Sequence, residues 1–176
     1  MTNNLAAELA DHPFLSAFPP TWQHLLANHA CRREYTAGQV VFKEGDAADR
    51  FILIRDGLIT LSIEVAGRGR VDVETLGADA VLGWSWLFWP YKWHLGAVAV
   101  ERSNVIMFEA PPLRALMASD PALGYELMRR FAAVMLDRLQ ATRLRLSEQG
   151  CDVPSAPVSG PWAGITTDAV PLLDIR

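Results

Sequence analysis

The sequence predicts an α+β chain that is mainly β: an antiparallel sandwich or barrel between short N-terminal helices and one long C-terminal helix. Three observations carry this prediction. Glycines punctuate residues 31–110 (Gly38, Gly45, Gly57, Gly67, Gly69, Gly77, Gly83 and Gly96), with short β-type runs between them. Residues 111–149 keep a helical pattern, broken from Pro121 to about Glu148 only by Gly124. Finally, 176 residues, 51% of them hydrophobic and 20% charged, can bury one ordinary core, which excludes wholesale disorder.

The elements follow in order. In the N-terminal segment, 1–30, His12-Pro13 breaks the opening stretch, and Trp22, Leu25 and Leu26 recur at helical spacing after the Pro19-Pro20 turn. The β-type runs are Val40 to Phe42, Phe51 to Ile54, Leu58 to Val65, Val71 to Leu76 and Val105 to Phe108. Leu61, Ile63 and Val65 are expected on one face and Thr60, Ser62 and Glu64 on the other, the alternation of a half-buried strand. Gly67-Arg68-Gly69 is the clearest hairpin tip. Pro111-Pro112 opens a short helix through Leu113, Leu116 and Met117; Asp120 then stands as N-cap, with Pro121 at the first helical position. The helix that follows is about 42 Å long, enough to overhang a small barrel.

Met128, Ala132, Met135, Leu139, Thr142 and Leu146 follow the 4-3-4 spacing of a heptad seam, and Leu127, Phe131 and Val134 form a second stripe beside it. One stripe can cover the β-region while the other meets a second copy of the helix, so a homodimer is expected. Residues 150–176 read as a flexible tail with an apolar end at 169–175, giving one domain over 12–149 plus that tail.

Catalysis finds no support. His12, His24, His29 and His94 form no HxH or HExxH pair, and Cys31 and Cys151 can complete neither a disulfide framework nor a zinc site. Cys31, beside Arg32-Arg33, reads as a core cysteine at a strand entrance. There is no nucleophile elbow and no Gly-rich loop followed by Lys-Ser/Thr. The expectation is no enzyme, no metal and no cofactor. A net charge of −4 argues against nucleic-acid coating, and Arg129, Arg130, Arg138, Arg143 and Arg145 read as a solvated helix face. Met1 to Ala10 has no basic residue of a secretory signal, and no apolar run is long enough for a membrane span, so a cytoplasmic protein is expected.

Specific residues then narrow the fold. His12-Pro13-Phe14-Leu15 opens the region. Tyr35 to Asp46, with Glu44-Gly45-Asp46 at its end, follows; then Ala48 to Gly57 and Leu76 to Gly83. In this order they resemble the cyclic nucleotide-binding domain of the catabolite activator and FNR-type regulator superfamily over about residues 12–148. The resemblance implies a double-stranded β-helix, a jelly-roll-like β-roll, with a long C-terminal dimerisation helix. Arg138-Leu139-Gln140-Ala141-Thr142 is similar to the stretch where the family's dimer helix meets the adenine. Family transcription factors continue into a helix-turn-helix domain, for which the 26 residues after Gly150 are too few, so DNA binding by this chain alone is not expected.

In the family, a Phe-Gly-Glu strand end precedes a short helix whose N–H groups cradle the cyclic phosphate. The Glu holds the ribose, and an Arg about ten residues on neutralises the phosphate. The corresponding run here is Leu82-Gly83-Trp84-Ser85-Trp86-Leu87-Phe88-Trp89-Pro90-Tyr91-Lys92-Trp93-His94. Gly83 is kept; Trp84 stands at the Glu position and Trp93 at or near the Arg position. The pocket positions are therefore Gly83, Trp84, Ser85, Trp86, Lys92, Trp93 and His94, with Thr142 from the helix. Three readings of the tryptophans stand side by side: indoles filling the vacated pocket, an aromatic-walled pocket for another ligand with Lys92 and His94 as handles, or an exposed patch for a protein partner. The functional expectation is a stand-alone, non-catalytic regulatory module that does not bind cyclic AMP or GMP in the usual way. The alternatives are an adaptor docking through the Trp84–Trp93 segment or residues 169–175, and a true cyclic nucleotide-responsive regulator.

Overall fold

The computed structural model describes residues 2–148, with side chains from Leu5 onward. The chain divides into two units, 1–136 and 137–176, the second described as far as 148. In chain order the elements are α1 (Thr2–Asp11), α2 (Pro20–Ala27), β1 (Ala30–Tyr35), β2 (Val40–Phe42), β3 (Arg50–Asp56), β4 (Ile59–Val65), β5 (Gly69–Leu76), β6 (Val81–Leu82), β7 (Gly96–Ala99), β8 (Ser103–Glu109), α3 (Ala110–Ser119) and α4 (Pro121–Glu148). A single 3-10 turn, Ser85–Leu87, lies between β6 and β7.

Two four-stranded antiparallel sheets, ordered β1-β8-β3-β6 and β2-β7-β4-β5, make the jelly roll expected. The β4–β5 hairpin closes at Gly67-Arg68-Gly69, where Arg68 N–H donates to the Val65 carbonyl at 3.0 Å. Gly67 and Gly69 take φ of +77° and +73°, which only glycine adopts cheaply. Three strands carry no strong sequence signal. β1 is an edge strand whose Cys31, Arg32, Arg33 and Glu34 are all exposed, β6 has two residues, and β7 is a short Gly-Ala-Val-Ala run. Cys31 is accordingly exposed rather than a core cysteine.

The alternation expected in β4 is also corrected. Ile59, Thr60, Leu61 and Ser62 are all buried and Ile63 is exposed, because the first half of the strand lies between β5 and β7 with both faces covered, and its pairing with β5 shifts between Leu61 and Ser62.

The first unit's core is aromatic at its centre. Phe51 of β3 stacks on Phe108 of β8 at 4.3 Å and meets the edge of Phe131 of α4 at 5.3 Å; Phe14 meets Phe131 at 4.9 Å. Leu123, Leu127 and Phe131, four residues apart, are the stripe of α4 that covers this core. Asp120 caps α4 as expected: its Oδ1 accepts the Leu123 N–H at 3.0 Å, and its Oδ2 accepts Trp22 Nε1–H at 3.1 Å. Arg130 departs from the solvated-face reading. Its side chain is largely buried, donates to the Phe14 carbonyl at 2.7 Å and lies over the Phe18 ring, tying the N-terminal segment to α4. Met128, Ala132, Leu139, Thr142 and Leu146 are exposed and Met135 is half-buried. No described helix is long and apolar enough to cross a membrane. The apolar end at 169–175 and Cys151 lie outside the described residues.

Candidate functional site

The segment expected at the phosphate-binding position is built on Gly83. At φ +88° it turns the chain out of β6, and a side chain there is blocked twice over: a Cβ would lie 2.7 Å from Trp93 Cζ3 and 2.8 Å from Cη2. The Trp93 indole therefore rests directly on the Gly83 backbone. The ring also stacks on Phe42 of β2, with centroids 3.8 Å apart and planes 9° from parallel, and only 3% of the residue is exposed. The Glu44-Gly45-Asp46 turn clamps it from both sides. Trp93 N–H donates to the Asp46 carbonyl at 2.9 Å, and Gly45 N–H donates to the Trp93 carbonyl at 2.8 Å. The family-like turn thus holds an aromatic ring over the glycine.

The other tryptophans have different fates. Trp86 is fully buried, stacked on Phe51 at 5.6 Å and edge-on to Phe131 at 5.7 Å. Its Nε1–H has no partner, a penalty of about 1–3 kcal/mol. The ring has become core. Trp84 is half-buried, and Trp89 is 82% exposed. The loop carrying Trp89 is nonetheless well braced. Tyr91 N–H donates to the Phe88 carbonyl at 2.8 Å, Ala48 N–H donates to the Tyr91 carbonyl at 2.7 Å, and Lys92 bridges Ala47. Arg114 of α3 spans the loop, donating to the Trp86 carbonyl at 3.0 Å while its guanidinium covers the Tyr91 ring at 4.4 Å.

Of the predicted polar handles, Ser85 and His94 come together, with Oγ and Nδ1 3.1 Å apart; Ser85 is buried and His94 exposed. Lys92 is exposed. Thr142 lies in the second unit, where its hydroxyl donates to the Arg138 carbonyl one turn back at 2.8 Å. The residues missed from sequence are Phe42 and Arg114. Phe42 had a signal, as the apolar end of a short strand; Arg114 had none, because nothing local marks a helix cation that will reach another loop. Among the described residues no group of three His, Cys, Asp or Glu is placed to hold a metal ion.

Two four-stranded sheets in this order, with the Gly83 turn between β6 and β7, define a cyclic nucleotide-binding-type domain, and comparison with known proteins agrees. The sequence model of the cyclic nucleotide-binding domain family matches residues 32–120, and the chain belongs to that family. Among solved structures, a candidate cyclic nucleotide-binding protein of Geobacter metallireducens is 26% identical, with a TM-score of 0.70 over 76% of this chain and 97% of its own. A cyclic nucleotide-binding-like protein of Brucella abortus is 30% identical, with a TM-score of 0.53 over 65% of this chain and 98% of its own. The catabolite activator protein of Thermus thermophilus shares the fold at 23% identity, with a TM-score of 0.62 over 78% of this chain and 63% of its own. No curated protein matches the sequence.

Proposed function

We propose that this chain is a non-catalytic regulatory module of the cyclic nucleotide-binding family whose phosphate-binding position is filled by its own side chains, so that it does not hold cyclic AMP or cyclic GMP in the family's usual way. One observation carries the reading: the Trp93 ring packed on Gly83 and stacked on Phe42. The guanidinium that would neutralise a cyclic phosphate is replaced there by an uncharged ring, and the ribose-binding carboxylate by Trp84. Loss of a bidentate charged partner costs several kcal/mol of affinity. Titration calorimetry with each nucleotide tests it: no heat of binding at micromolar concentrations is expected. Micromolar affinity for either nucleotide overturns the reading in favour of a cyclic nucleotide-responsive regulator.

A second reading, an adaptor docking to a larger assembly, is favoured by Trp89, an exposed indole on a braced loop, the kind of preorganised aromatic that anchors interfaces. Homodimerisation through Met128, Ala132, Met135, Leu139, Thr142 and Leu146 belongs to either reading and is supported by the exposure of Leu139, at 48%. Leu139→Asp would bury an unpaired charge in such a seam, and sedimentation should then show monomer where the natural protein sediments as a dimer. A cytoplasmic setting, supported by the free Cys31 thiol, completes the proposal.

A further inference from the structure

The outer face of the first sheet carries a second cluster of charges, unrelated to the Gly83 turn. Arg32 of β1 and Arg55 of β3 flank β8, so their strands lie about 10 Å apart across the sheet. Their guanidinium groups nevertheless converge on one carboxylate, Glu8 of α1. Arg32 donates to it from Nε at 3.0 Å and from Nη2, and Arg55 donates from Nη1. The carboxylate is the buried member: the Glu8 side chain is 18% exposed, while those of Arg32 and Arg55 remain open to water. Arg32, then burial working against it, then Arg55 set its charge state, and the net effect holds the Glu8 carboxyl below the usual carboxylate range.

Around this pair is a cleft of about 420 Å³, with Val105 and Ile106 of β8 among its lining and Arg33, Glu34, Asp56 and Asn104 completing it. That volume suits a small molecule. We propose that this cleft is a binding site for a small phosphomonoester, with Glu8 occupying the phosphoryl position in this structure. The two guanidinium groups can donate to tetrahedral phosphate oxygens as readily as to a carboxylate, and a dianion satisfies two cations better than a single negative charge.

The rest of the lining sets the ligand class. Asp56, which accepts from Asn104 Nδ2 at 2.8 Å, and Glu34, which accepts from Arg102 at 2.7 Å, offer further lone pairs to hydroxyl groups. Their negative charges repel a polyanion more strongly than a single phosphoryl group, which favours a phosphomonoester over nucleic acid or polyphosphate. The ligand that fits has one phosphoryl group and a short polyol or sugar body. When it binds, Glu8 must leave the fork, so the ligand competes with α1 at this point.

The test uses the full chain with inorganic phosphate and glycerol phosphate as probes, followed by phosphorus NMR and calorimetry. The natural protein should bind glycerol phosphate weakly. Glu8→Gln keeps the shape and removes the competing charge, and should tighten binding at least tenfold. Arg55→Lys keeps the charge but loses the fork, and should weaken binding at least tenfold in the Glu8→Gln background. Should Glu8→Gln fail to fold, Glu8→Asp, whose shorter arm draws the carboxylate back from the guanidinium groups but keeps its charge, should still tighten binding over the natural protein, by less than tenfold. Absence of binding at millimolar probe in every variant overturns the proposal and leaves a purely structural clasp. Binding that Arg55→Lys does not weaken overturns it equally.

Discussion

Replacing Trp93 by alanine separates a ring that is part of the core from one that merely lies near the surface. A buried tryptophan removes about 150–250 Å² from water, worth about 4–6 kcal/mol at ~25 cal/mol per Å². Truncations of buried aromatics to alanine cost about 3–5 kcal/mol. The upper half of that range applies here, because both walls of the cavity resist collapse. One is the Gly83 backbone, the other Phe42 on a strand paired with β7. For a domain of this size about 4 kcal/mol lowers the melting temperature by about 8–16 °C. Urea denaturation and calorimetry of the variant measure it, and added indole should recover part of the loss by refilling the cavity. A companion variant sharpens the test. Gly83→Ala places a methyl 2.7 Å from the ring as well as straining a φ of +88°, so in the natural background it carries both costs. In the Trp93→Ala background only the backbone strain, about 1–2 kcal/mol, should remain. A loss below about 1 kcal/mol for Trp93→Ala, or strictly additive variants, would refute the packed-ring account and with it the basis for excluding the nucleotides.

Gly124→Ala should destabilise by about 1 kcal/mol net: a Cβ would sit 2.9 Å from the Met117 carbonyl and push α3 from α4, outweighing the ~1 kcal/mol helical gain. Urea midpoints measure the sign. Asp120→Ala should cost about 2 kcal/mol, by stripping the cap from Leu123 N–H and the acceptor from Trp22, whereas Asp120→Asn should lose less than half of that. Acidification should weaken the fold in two stages. Burial depresses His12 below its ordinary 6.5, so its contribution is complete above that pH and fades as pH falls below it. Asp79 opposes that depression and Arg55 adds to it. Glu126, held at about 2 by Arg129, with Arg130 adding, has a contribution complete above 4.5 that is lost on descending toward pH 2. Urea midpoints against pH should show both declines, and Glu126→Gln should shrink the lower one while leaving the part that Glu8 contributes.

The local elements were legible because their causes are local. Val40 to Phe42 matches β2 residue for residue, the Gly67-Arg68-Gly69 tip closes its hairpin, and the cap-and-proline pair Asp120-Pro121 starts α4 where it was placed. Chain-level resemblance supplied the jelly roll that periodicity alone left as sandwich or barrel. β1 escaped notice because an exposed edge strand with Arg32, Arg33 and Glu34 has no apolar period to read.

What tertiary structure alone decided is the fate of side chains that the sequence leaves equivalent. Trp86 and Trp89 stand three residues apart in one aromatic run; the first is sealed against Phe51 and Phe131, the second stands in water. Nothing in the run distinguishes them, because burial outside a periodic element depends on which distant residues lie opposite. The same holds for Trp93 on Phe42, for Ser85 against His94, and for Glu8 between Arg32 and Arg55, which are 24 and 47 residues away. Turn geometry, caps and strand runs are free-energy preferences of a few adjacent residues, so the sequence by itself determines them. The packing of Trp93 against Gly83 and Phe42 and the outer cleft are contacts between segments that only the sheet order brings together.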